Sequence, residues 1–110
     1  MTNKDFNKIV EYRIKMIRSV LSKKAVEYAH GDRLSNFNRA AAMLGQNREK
    51  ALMGMLAKHL VSILDIIDEF DTKKPKEELI NEKIGDFVNY AILLEAMMKE
   101  DISKTKKATN

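Results

Sequence analysis

Apolar residues recur along most of this chain at spacings of three and four, the period of a helix with one buried face. Phe6, Ile9, Val10, Ile14, Ile17, Val20, Leu21 and Ala25 predict a helix over 4–28 that fades by His30-Gly31. A short helix follows from about Leu34 to Leu44, with Asp32 as a candidate N-cap and Gly45 as its stop. Asn47 can cap a long third helix, 48–70, that holds ALMGMLAKHLVSILDIIDEF, the most hydrophobic stretch of the chain. Pro75 suits the first position of a fourth helix, with Glu77 and Glu78 in its positive first turn, and the apolar period then lasts to about Glu100.

The pattern predicts an all-α protein: a helical bundle of three long helices plus one short helix, in a single domain over residues 1–102, with 103–110 as a disordered basic tail. The third and fourth helices are apolar around much of their circumference, more than one short helix and the first can cover. A homodimer or tetramer that buries the remaining faces is therefore expected.

Composition narrows the chemistry. With no cysteine in 110 residues, disulfides, thiolate nucleophiles and cysteine metal sites are excluded. No apolar run approaches membrane-spanning length, and MTNKDFNK lacks the apolar core of a signal peptide, so the expectation is a cytoplasmic protein with no membrane partner. The net charge of +4 suggests nucleic acid, but Lys104, Lys106 and Lys107 carry most of it. The remaining body is near neutral and offers no basic stripe.

Candidate chemistry comes from polar residues out of phase with the apolar pattern. In the fourth helix Tyr90, Leu93, Leu94, Met97 and Met98 share a sector of about 140°, and Asp86 and Lys83 fall inside it two turns earlier, with Glu82 and Asn89 at its edge. Either this end projects into solvent, or it faces a polar cavity in which a carboxylate has a counter-charge. On the third helix Lys58, Ser62, Asp65 and Glu69 form one narrow polar stripe, which reads as a wet seam or as the partner of Asp86. His59 lies beside that stripe and, lacking a second histidine at ligand spacing, is given no role. In YAHGDRLSNFNR, Asp32, Arg33, Asn36 and Arg39 cluster near a helix start, where anions are favoured, although capping alone accounts for Asp32.

The order YAHGDRLSNFNRAAAMLG, ALMGMLAKHLVSILDII, EKIGDFVNYAILLEAMM resembles small phage proteins of the MazG-like, nucleotide-modification-associated kind, over roughly residues 25–100. The resemblance implies an all-α nucleotide pyrophosphatase relative, oligomeric, with acidic residues of two facing helices holding Mg²⁺ against a nucleoside triphosphate. Of the family's fourth-helix motif, NEKIGD keeps Glu82 and Asp86, and an enzyme version of the reading takes Asp65, Asp68, Glu82 and Asp86 as Mg²⁺ ligands. The polar clusters described above, Arg33, Asn36, Lys58, Ser62, Lys83 and Asn89, are the candidates for holding the nucleotide. The chain departs from the family pattern at Lys83, which stands where a metal-binding Glu is expected and can replace the ion in volume and charge. The third helix also lacks the family's Glu-x-x-Glu pair. What the resemblance implies is therefore binding of a nucleotide or nucleotide derivative in modified-nucleotide metabolism. A Mg²⁺-dependent pyrophosphatase is one alternative. Another is a phage interaction protein that inhibits a host enzyme or sequesters a defence signal nucleotide.

Overall fold

The computed structural model describes residues 1–22 and 33–109, with the side chains of 1–21 and 33–106. Every regular element among them is helical: α1 spans Asn3–Ile17 and runs into five π-helical residues, Arg18–Ser22; α2 is Ser35–Leu44, α3 is Arg48–Glu69 and α4 is Glu77–Thr109. The chain forms two compact units, Met1–Arg33 and Leu34–Asn110.

In the first unit, the Thr2 side chain caps α1 by accepting from the Asp5 amide at 3.1 Å, and Asp5 sits in the positive first turn. The apolar positions that predict this helix form one stripe, but Phe6, Ile9, Val10 and Ile14 are all exposed. The expected helix over 4–28 is present as far as the described residues reach.

In the second unit the punctuation follows local chemistry. Gly45 ends α2 in the left-handed region (φ 65°), where its amide bonds back to Ala42, and it is a position that suits glycine because a Cβ would be strained there. Asn47 caps α3 by accepting from the Lys50 amide at 2.9 Å. The first turn of α2 takes no side-chain cap, and Leu34 occupies that position as part of the core. The candidate cap Asp32 lies outside the described residues.

Two boundaries differ from expectation. Pro75 is not the first residue of α4; the helix begins at Glu77, and the Leu79 and Ile80 amides bond to the Lys76 carbonyl. At the other end α4 does not stop near Glu100 but continues to Thr109. The Lys104–Glu100 pair at 3.0 Å supports the extension at i,i+4 spacing, and lysines suit the negative end of the helix dipole.

Leu34, Leu52 and Met97 form the centre of the core, with Phe37, Tyr90, Leu93 and Leu94 packed against them. Leu52 and Met97 have no exposed surface. The core thus joins α2, the N-terminal half of α3 and the C-terminal half of α4, and the sector of α4 predicted to be apolar does face it, apart from Met98, which is exposed. The remaining circumference of α3 is open: Met53, Leu60, Val61, Leu64 and Ile67 are exposed. Gly54 lies among them in mid-helix, and a Cβ added there would meet no atom within 4 Å. Glycine in a helix interior costs about 1 kcal/mol relative to alanine, and no contact among the described residues accounts for it. No described helix is long and apolar enough to cross a membrane.

Candidate functional site between α3 and α4

The rotation of α3 decides which polar groups face α4. With Leu52 at zero, Arg48, His59, Ile63 and Ile66 fall within about 40° of it, whereas Lys58, Ser62, Asp65 and Glu69 lie about 80–140° to one side. Accordingly His59, not the predicted stripe, meets Asp86: His59 Nδ1 is 3.9 Å from Asp86 Oδ2. The imidazole also lies against the Tyr90 ring, with centroids 4.7 Å apart and planes inclined at 32°. Tyr90 in turn meets Phe37 of α2 edge-on at 6.4 Å. Asp86, Tyr90 and the neighbouring Asn89 belong to one turn of α4, and the Asn89 side-chain oxygen is buried without a hydrogen-bond partner. A buried acceptor left in that state costs about 1–3 kcal/mol.

The other nominated residues spread more widely. Lys58, Asp65, Asp68 and Glu82 are exposed, Ser62 is half-buried, and Asn36 is exposed in the first turn of α2. Arg33 is half-buried at the end of the first unit. Lys83 contributes its aliphatic stem to a groove of about 190 Å³ that is otherwise lined by Ile63, Ile66, Ile67, Phe70, Ile80 and Ile84. The surroundings of Lys83 are therefore apolar, where a polar cavity was expected. Among the described residues no group of three or more His, Asp or Glu is arranged to hold a metal ion.

A second polar cluster was absent from the sequence reading. Arg48, at the start of α3, is buried and its guanidinium donates to Asn38 of α2 at 3.2 Å. It also donates to Glu100 at 3.1 Å, to Asp101 at 2.8 Å and to the Met97 carbonyl at 3.1 Å, all on α4. Glu49 lies 3.6 Å from its Nε. Burial works against this charge, but the hydrogen bond to Glu100 and the charges of Asp101 and Glu100 outweigh it and hold the guanidinium pKa above its usual value. Such a cluster ties three helices together, and within it the Glu49 Oε1 is buried without a hydrogen-bond partner.

The same contacts set an acid limit on stability. Hydrogen bonds from Lys104 and then from Arg48 hold the Glu100 carboxyl below the usual carboxylate range. A carboxyl whose pKa is lower in the folded chain adds stability that is complete above the unfolded value and is lost as pH falls through the folded one. Melting temperature should thus be level near neutrality and fall below about pH 4.3 through this group. Arg48→Met should flatten that acid limb; an unchanged limb in the variant would show that the Arg48–Glu100 contact does not contribute to it.

Comparison with known proteins gives no match to a family model, to a curated protein or to a solved structure.

Proposed function

We propose that the chain binds a nucleotide or nucleotide derivative, in keeping with its MazG-like resemblance, where α3 and α4 face each other at His59, Asp86, Asn89 and Tyr90. The observation that carries this reading is the unpartnered, buried Asn89 oxygen on the turn of α4 that also carries Asp86, half-exposed, and Tyr90, whose ring lies against His59. An amino group on a base supplies the donor that Asn89 lacks, and aromatic side chains offer the base an apolar surface. Lys58, next to His59 in sequence, supplies positive charge for phosphate. The proposal is for binding, with Asp86 orienting His59 and accepting from the ligand.

Calorimetric titration with ribo- and deoxyribonucleoside mono- and triphosphates tests it. At least one should bind below millimolar concentration, and Asn89→Leu should weaken that binding at least tenfold, the equivalent of about 1.4 kcal/mol, with helicity by circular dichroism unchanged. If none binds at millimolar concentration, or if Asn89→Leu binds as well as the parent, the site is not a nucleotide site.

A further inference from the structure

We draw no further inference here: the strongest candidate, the apolar groove between the C-terminal half of α3 and the start of α4, walled by Ile63, Ile67, Phe70 and Ile84, carries none because nothing in the structure shows what covers it.

Discussion

Leu52→Ala should lower the unfolding free energy of the second unit by about 3 kcal/mol, read from urea denaturation as an earlier midpoint with an unchanged slope. Leu52 has no exposed surface and sits with Leu34 and Met97 at the centre of the core. Truncation removes transfer free energy and leaves a cavity whose walls come from three helices, α2, α3 and α4, each held by contacts of its own. Inward collapse is therefore limited, and the loss falls in the middle of the range for buried leucines rather than at its lower edge. The comparison that isolates burial is Leu64→Ala on the same helix. Leu64 is 48% exposed, so its loss should stay within about 0.5 kcal/mol under conditions where the chain is monomeric. If both substitutions cost the same, α3 is not rotated as described.

That rotation is what the sequence left open. The existence and limits of α2 and α3 were readable because Gly45 and Asn47 carry their stop and start signals in their own chemistry. The phase of α4 was readable too, since Met97, Tyr90 and Leu93 contrast with Glu95 and Lys99 across the helix. Within that phase Asp86 stood out, and it does face α3. On α3 the contrast fails: leucine, methionine and isoleucine occur on nearly every side, so the polar stripe of Lys58, Ser62 and Asp65 was the only mark of orientation. The structure turns a different set inward, Arg48, Leu52 and His59. A histidine without a second ligand at helical spacing gives no signal of its own. Its role emerges only from the packing that sets it against Asp86 and Tyr90. The length of α4 was missed for a related reason, because its last turns carry an ion pair and terminal lysines rather than an apolar period.

Arg48→Met should destabilise the second unit by about 2 kcal/mol, and Arg48→Lys should recover only part of that loss. An arginine at the first position of a helix opposes the dipole, and local rules would place it in solvent. Here it is buried, because its guanidinium reaches Asn38 ten residues back and Met97, Glu100 and Asp101 about fifty residues ahead. Methionine keeps the stem's packing and loses every one of those bonds. The estimate lies below the about 3–5 kcal/mol seen when one member of a fully buried ion pair is removed. Glu100 and Asp101 are 41% and 50% exposed, so water takes over much of their solvation once the guanidinium is gone. Lysine restores a charge but not a planar fork, so it cannot serve Asn38, Glu100, Asp101 and the Met97 carbonyl together. A double-mutant cycle with Glu100→Gln separates the pair from the packing: coupling should be measurable at low salt and shrink as salt rises. An Arg48→Met protein as stable as the parent would mean that the cluster serves orientation alone, and α2 would then be held to α4 by Leu34, Phe37 and Tyr90 without help from charge.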